Sequence, residues 1–182
     1  MKRFAVVAVC VLGTCVPLAA RAQNSPIDRA SFAQDRMRTL RETTSQTHGA
    51  VITTVPYADS LVFTALQLVY DNLGIPITDL NADSGTVGNK GFVLMRSLAN
   101  RPASHYFDCG AGSSIPVTET QDYQITITVF SAIVGNGPNT TLGTWTTAVG
   151  RSNGTVNADV ACHSNGRLEK LIAKNVADML KK

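Results

Sequence analysis

The chain has 182 residues, of which 44% are hydrophobic and 16% charged, and its formal net charge is +3. Three of its 16 basic residues, Lys2, Arg3 and Arg21, lie in an expected export signal, so 13 basic residues remain against 13 acidic ones. A neutral chain without a basic run argues against nucleic acid and anionic membrane surfaces as partners, because both attract clustered positive charge.

The first 22 residues have the organisation of a cleavable export signal. Met1–Arg3 is basic, an apolar run extends from Phe4 to Ala20, and small residues precede the expected cleavage between Ala22 and Gln23. The apolar run is shorter than the roughly 20 residues that a membrane-spanning helix needs. We therefore expect a chain exported by a bacterial Sec route, without a transmembrane span after cleavage, that is periplasmic or associated with the outer membrane.

A second interpretation of this leader is a lipoprotein cleavage site at residues 12–15, with a lipid anchor on Cys15. Thr14 is unfavourable in front of the modified cysteine, and the apolar run continues beyond it. We therefore do not expect lipidation of Cys15.

Residues 23–49 are polar and contain few apolar side chains. We interpret them as a flexible polar segment that tethers the domain to its cleavage site. The alternative is a weak helix over residues 28–42, because Phe32, Arg36 and Leu40 share one helical face.

The remaining residues, 50–182, are expected to form one domain of alternating element types. In chain order the patterns predict a strand at 51–55, a helix from Asp59 or Ser60 to Gly74, a turn at 81–85, and strands at 86–98 and 104–109. A kink is expected in the strand at 86–98, at Gly88 or Gly91. The clearest alternation follows at 122–134, then a turn at 135–139, strands at 140–149 and 155–162, and a final helix that Ser164 or Asn165 caps.

This order of elements is typical of an α+β domain. We predict an antiparallel sheet of about six or seven strands with two helices packed on one face, a helix-grip-like arrangement. The other face is rich in threonine and is expected to face water. Trp145, the only tryptophan, lies in this Thr-rich stretch and is interpreted as a core or sheet-packing residue rather than a ligand platform.

Two cysteines, Cys109 and Cys162, remain once Cys10 and Cys15 leave with the signal. An isolated pair of cysteines in an oxidising compartment indicates one disulfide. Each cysteine ends a predicted strand, so the bridge would fasten two strand ends next to the start of the final helix.

A zinc site is the alternative use of these cysteines, since His105, Cys109, Cys162 and His163 form a set of two cysteines and two histidines. Zinc sites usually take paired ligands from tight turns, and adjacent residues of a strand point to opposite faces. The disulfide is the favoured interpretation, and no metal is expected.

No catalytic constellation stands out, and no cofactor-binding motif was found. His48 lies in the polar segment, no Gly-x-Ser-x-Gly elbow is present, and the carboxylates are scattered. A hydrolase centred on His105 or His163 is the least favoured function. We therefore predict that the protein is not an enzyme and binds no cofactor.

Residues Val62 to Lys90 carry a resemblance to known proteins. A helix that ends at Leu73-Gly74 leads through Ile75-Pro76-Ile77 to a glycine-containing turn and a further strand. This segment resembles the helix-grip domain of the BamC lipoprotein family, a part of the outer-membrane barrel-assembly machinery. The resemblance implies an envelope setting and a binding or scaffolding role without catalytic residues.

The predicted function is therefore non-catalytic. We expect an exported envelope or periplasmic module for protein interaction or assembly, which binds an envelope protein through a sheet edge or the wet sheet face. The alternative is a carrier that holds a small apolar ligand between the sheet and the final helix. The side chains expected to line such a cavity are Phe92, Tyr123, Ile125 and Leu171.

Overall fold

The computed structural model describes residues 50–94, 97–110, 123–152 and 159–181, with only the backbone described at 136 and 152. The expected signal cleavage between Ala22 and Gln23 and the polar segment 23–49 lie outside these residues. The strands are β1 Val51–Val55, β2 Asp79–Asn81, β3 Thr86–Leu94, β4 Ser97–Leu98, β5 Arg101–Pro102, β6 Phe107–Asp108, β7 Tyr123–Asn136, β8 Asn139–Ser152 and β9 Asp159–Ser164. The helices are α1 Asp59–Asn72, α2 Arg167–Leu180 and a 3-10 turn at Ala103–His105.

The main sheet is antiparallel and has seven strands, which confirms the predicted fold class. Its order is β2-β3-β7-β8-β9-β6, and β1 also pairs with β8. Because β7 pairs along the whole of β8, strands β1 and β9 share the other edge of β8. Strand β1 lies beside residues 140–144 of β8, and β9 lies beside residues 148–151.

The hairpin of β7 and β8 is the central and longest part of the sheet. The pairing runs from Tyr123 opposite Ser152 to Asn136 opposite Asn139, with a turn at Gly137-Pro138. Gly137 has φ +65°, which glycine adopts without steric cost. Since side chains alternate between the faces of a strand, odd-numbered residues of β7 and even-numbered residues of β8 share one face.

Both helices lie on that shared face and bury apolar stripes against it. Leu66 of α1 and Leu168, Ile172 and Val176 of α2 are fully buried, and α1 also contacts α2. Burial of each such side chain stabilises the fold by roughly 1.5–3 kcal/mol. Within the described part of the chain, no helix is long and apolar enough to cross a bilayer.

The predicted strand over 86–98 corresponds to two described strands, β3 up to Leu94 and β4 at Ser97–Leu98, which lie in different sheets. The backbone φ angles of Ala99 and Asn100, +49° and +59°, reverse the chain and pair β4 with β5 in a small separate sheet. The predicted strand at 104–109 is also shorter, because the 3-10 turn occupies its beginning. The expected kink is present at Gly91, inside a bulge of β3.

The residues predicted to cap the two helices do not occupy the N-cap positions. Helix α1 begins at Asp59, and its N-cap residue Ala58 has no side chain that can cap it. At α2 the N-cap is Gly166, with φ +78°. The Ser164 hydroxyl accepts from the Gly166 N–H and the Asn165 side-chain oxygen accepts from the Arg167 N–H, both at 3.1 Å.

Candidate interaction surface

The disulfide between Cys109 and Cys162 is present, as predicted. Strand β6 pairs with β9 so that Phe107 lies opposite Ser164 and Asp108 lies opposite His163. Continuing this register by one residue places the two cysteines opposite each other, with their Cα atoms 4.1 Å apart. Because the bridge consumes both thiols, they are not free to supply the thiolates of the alternative zinc site.

The two histidines of that alternative lie on different elements. The Nδ1 atom of His105 is 3.3 Å from an Arg167 guanidinium nitrogen, and the His105 carbonyl accepts from the Asn165 amide at 2.8 Å. The side chain of His163 leaves β9 on the face opposite to Cys162. Among the described residues, no group of three or more His, Cys, Asp or Glu side chains is arranged to hold a metal.

A buried carboxylate joins α2 to the sheet, and sequence reasoning missed it. Glu169 is only 1% exposed, and its Oε1 accepts from the hydroxyls of Thr146 at 2.5 Å and Ser164 at 2.7 Å. Its Oε2 has no hydrogen-bond partner among the described groups. A Glu in the first turn of a helix is usually explained by its favourable interaction with the helix dipole. The only sequence signal for a buried role was therefore the position of Glu169 shortly after Ser164.

A second buried polar cluster joins α1 to the hairpin. The Ser131 hydroxyl lies 2.9 Å from the Tyr70 hydroxyl and 2.7 Å from that of Thr144. Burial raises the pKa of Tyr70 well above its ordinary value near 10, and the hydrogen bond with Ser131 lowers it to a smaller extent. This cluster and the Glu169 cluster satisfy hydroxyl groups that the helices cover.

Three residues of the carrier hypothesis, Phe92, Tyr123 and Ile125, lie on the helix-facing side of the sheet, and Leu171 lies on α2. Tyr123 and Ile125 are buried, and Phe92 and Leu171 pack against the same core. A Cβ atom at Gly150 would lie 2.5 Å from the Tyr123 ring, so this ring occupies the space above the glycine. These contacts form part of the packed core, and ligand carriage stays a prediction.

The opposite face of the sheet carries an aromatic pair that no described helix covers. Phe130 of β7 and Trp145 of β8 are cross-strand partners with ring centroids 4.3 Å apart. A Cβ atom at Gly88 would lie 2.6 Å from the Phe130 ring, which means that the ring lies over the β3 backbone. Both side chains are half-buried and stand outside the hydrophobic core.

Exposed aliphatic side chains accompany this pair on the same face. Ile52 of β1, Val93 of β3 and Val149 of β8 are 37%, 55% and 42% exposed. We name the surface formed by Phe130, Trp145, Ile52, Val93 and Val149 the open-face patch. Near the end of this patch, Arg151 of β8 lies opposite Asp159 of β9. The two side chains form an ion pair with two hydrogen bonds, at 2.6 and 2.9 Å.

At the patch, the two central strands place small polar side chains on the helix-covered face and aromatic side chains on the open face. Ser131 and the two threonines that flank Trp145 in the chain, Thr144 and Thr146, are buried beneath the helices, whereas the aromatic residues between or beside them face outward. Large aromatic side chains ordinarily favour the interior. Departures of this kind from the expected pattern concentrate at functional sites.

Comparison with known proteins adds no family to this description. No protein-family model matches the chain, and neither curated proteins nor solved structures give a match.

Proposed function

We propose that this chain is an exported, non-catalytic module of the cell envelope that binds a protein partner through the open-face patch. The observation that carries the proposal is the outward-facing Phe130–Trp145 pair, beside which smaller polar residues are buried. The export signal predicted from the sequence, together with the disulfide, supports an oxidising compartment. The resemblance of residues 62–90 to an envelope assembly module is compatible with the same setting.

The chemistry of the patch favours a protein surface with aliphatic side chains. Tryptophan and other aromatic residues anchor most protein interfaces, because they bury a large area with few rotatable bonds. Ile52 lies opposite Gly143, two residues from Trp145, whereas Val93 and Val149 lie further along the same face, beyond the Thr128–Thr147 pair. Exposed apolar side chains grouped with polar ones on one face are typical of such contacts.

The face is a better candidate than the sheet edges. Strand β2 has three residues, and its Asp79 pairs with Lys90 at 3.3 Å, while β6 has only two residues. Short strands and charges blunt an edge against further strand pairing. The five residues of β1 form a longer edge, but Ile52 of that strand already belongs to the patch.

Site-specific photocrosslinking tests this proposal. A photoreactive side chain would replace Thr147, which is exposed on the patch side of β8, and in a matched variant Lys174, which is exposed on α2. We expect one recurrent envelope protein to be crosslinked from position 147 in intact cells and not from position 174. The substitution Trp145→Ser should abolish that product, whereas Arg151→Ala should preserve it.

Two outcomes would contradict the proposal. Equal crosslinking from positions 147 and 174 would mean that the patch has no preference for the partner. Persistence of the product in a folded Trp145→Ser variant, checked by circular dichroism, would mean that the aromatic pair does not bind it.

A further inference from the structure

We propose that the partner of the open-face patch is a second copy of this chain, whose own open face packs on it across a two-fold axis beside Thr128 and Thr147. The proposal rests on the proposed function, because it names the partner of that same surface. The observation that carries it is the order of side chains on the face, which places an apolar row at the same distance on each side of the two threonines.

The open face of β7 and β8 is arranged around one pair of threonines. Thr128 and Thr147 lie opposite each other in the antiparallel pairing, and Thr147 is exposed. Two residues along the strands, on one side of this pair, Phe130 lies opposite Trp145. Because side chains recur on one face at every second residue, the aromatic pair is the next row of the face, about 7 Å from the threonines.

A second apolar row lies at the same distance on the other side of the threonines. It consists of Val93, Thr126 and Val149, which are consecutive cross-strand partners on β3, β7 and β8. Val93 and Val149 are 55% and 42% exposed. We name these three residues the aliphatic row. The threonine pair is therefore the midpoint between the aromatic pair and the aliphatic row.

A two-fold axis at this midpoint makes the face complementary to itself. If the axis lies between two stacked sheets and runs across the strands, each side chain faces the position equally far beyond the threonines on the same strand of the copy. Trp145 then faces Val149 of the second copy, Val149 faces Trp145 of the second copy, and Thr147 faces its own equivalent. Reciprocal contacts of this kind define the isologous dimer, the commonest symmetric assembly of soluble proteins.

The size of the face is sufficient for a stable dimer. Strands β7 and β8 have 14 residues each, so the face is roughly 45 Å long, and its strands lie about 4.8 Å apart. Two such faces, each about four strand positions wide, would bury on the order of 1,500 Å² in total, and stable specific interfaces bury about 1,200–2,000 Å². Face-to-face packing of two sheets, with strand directions within about 30° of each other, is also the usual arrangement of β-sandwiches.

The charges beside the rows do not oppose a second copy. In a two-fold dimer identical surfaces meet, and like charges placed against each other would repel. Arg151 forms its ion pair with Asp159, and Lys90 lies 3.3 Å from Asp79, so these charges are compensated within one copy. The axis also places Arg151 above Gly143 of the second copy, which has no side chain that could obstruct it.

Charge substitutions at Thr147 test the axis, because Thr147 would face its own equivalent. We expect residues 23–182 to have twice the mass of one chain in sedimentation equilibrium at micromolar concentration. Thr147→Asp and Thr147→Lys should each halve that mass, since either variant brings two like charges together, and an equimolar mixture of the two should restore the dimer. Lys170→Asp, at an exposed position of α2, is the matched control and should remain dimeric.

Three results would overturn the proposal: a monomeric parent chain, a dimer that survives both Thr147 substitutions, or a mixture that stays monomeric although circular dichroism shows both variants folded. Failure of the proposed function is distinguishable from these results. Crosslinking from position 147 to a different envelope protein would support that function and overturn the self-association. The absence of any crosslinked product from position 147 would contradict both.

Discussion

The hydroxyl of Ser164 donates to Glu169 Oε1 at 2.7 Å and thereby ties the last residue of β9 to the first turn of α2. Thr146 donates to the same oxygen from β8, so one carboxylate oxygen holds the helix to two strands. Glu169 therefore works as a connector between the layers of the fold.

Replacement of Glu169 by alanine is expected to lower the free energy of unfolding by about 2–3 kcal/mol, because two buried hydroxyls lose their shared acceptor. Glu169→Gln keeps one acceptor oxygen and should cost less. Urea denaturation of the two variants checks the order. If Glu169→Ala were as stable as the parent, the connecting role of the carboxylate would be refuted.

The Cys109–Cys162 bridge is expected to leave no reactive thiol in a chain cleaved after Ala22, which lacks Cys10 and Cys15. Ellman titration of the unreduced, unfolded protein should find none, and two after reduction. In the chain-entropy model, closing a loop of about 54 residues contributes roughly 4 kcal/mol, so the double Cys→Ala variant should unfold at a markedly lower denaturant concentration. Two thiols that react before reduction would contradict the bridge.

Gly150 is expected to tolerate no side chain while the Tyr123 ring lies above it. Gly150→Ala would force the ring and the added methyl apart, at a cost of about 1–3 kcal/mol. In a Tyr123→Ala background the same substitution should cost much less, and a double-mutant cycle measures the difference. Equal costs in both backgrounds would show that the ring does not oppose the methyl group.

The buried hydroxyl of Tyr70 is expected to make stability fall in alkaline solution. Its pKa is raised in the folded protein, so the folded state keeps the proton after the unfolded state loses it, and stability that is complete below pH 10 declines as the pH rises further. The decline attributable to this residue is about 1.4 kcal/mol per pH unit.

Tyr70→Phe is the matched variant for that prediction. At neutral pH it should be about 1 kcal/mol less stable than the parent, because the hydrogen bond with Ser131 is lost. The deficit should disappear near pH 11, and the variant should be the more stable protein above it. Denaturant titrations between pH 8 and pH 12 measure this, and parallel curves for the two proteins would contradict it.

Much of the fold followed from local patterns. The alternation of Tyr123, Ile125 and Ile127 predicted a half-buried strand, and Gly137 with Pro138 predicted its turn, because both signals depend on neighbouring residues only. The disulfide followed from the cysteine count and the compartment expected from the leader. The turn at Ala99 and Asn100 could not be predicted, because neither residue type requires a positive φ.

The candidate surface was less accessible to sequence reasoning. Trp145 was assigned to core or sheet packing, and the structure shows packing against Phe130 on the face away from the core. The period of a strand separates its two faces but does not tell which one the helices cover. On the covered face, Tyr70 and Glu169 are the hydrogen-bond partners of buried hydroxyl groups on the strands. Both residues are distant in the sequence from the strands that they contact.

The disulfide also determines how mechanical load travels through this chain. Residues 109–162 form a covalent ring that contains all of β7 and β8, and therefore Phe130 and Trp145. Tension between the two ends of the chain would cross the ring through the bond between Cys109 and Cys162 and leave the hairpin unstretched. If the chain is pulled from either end, the strands outside the ring would detach while the aromatic pair kept its geometry.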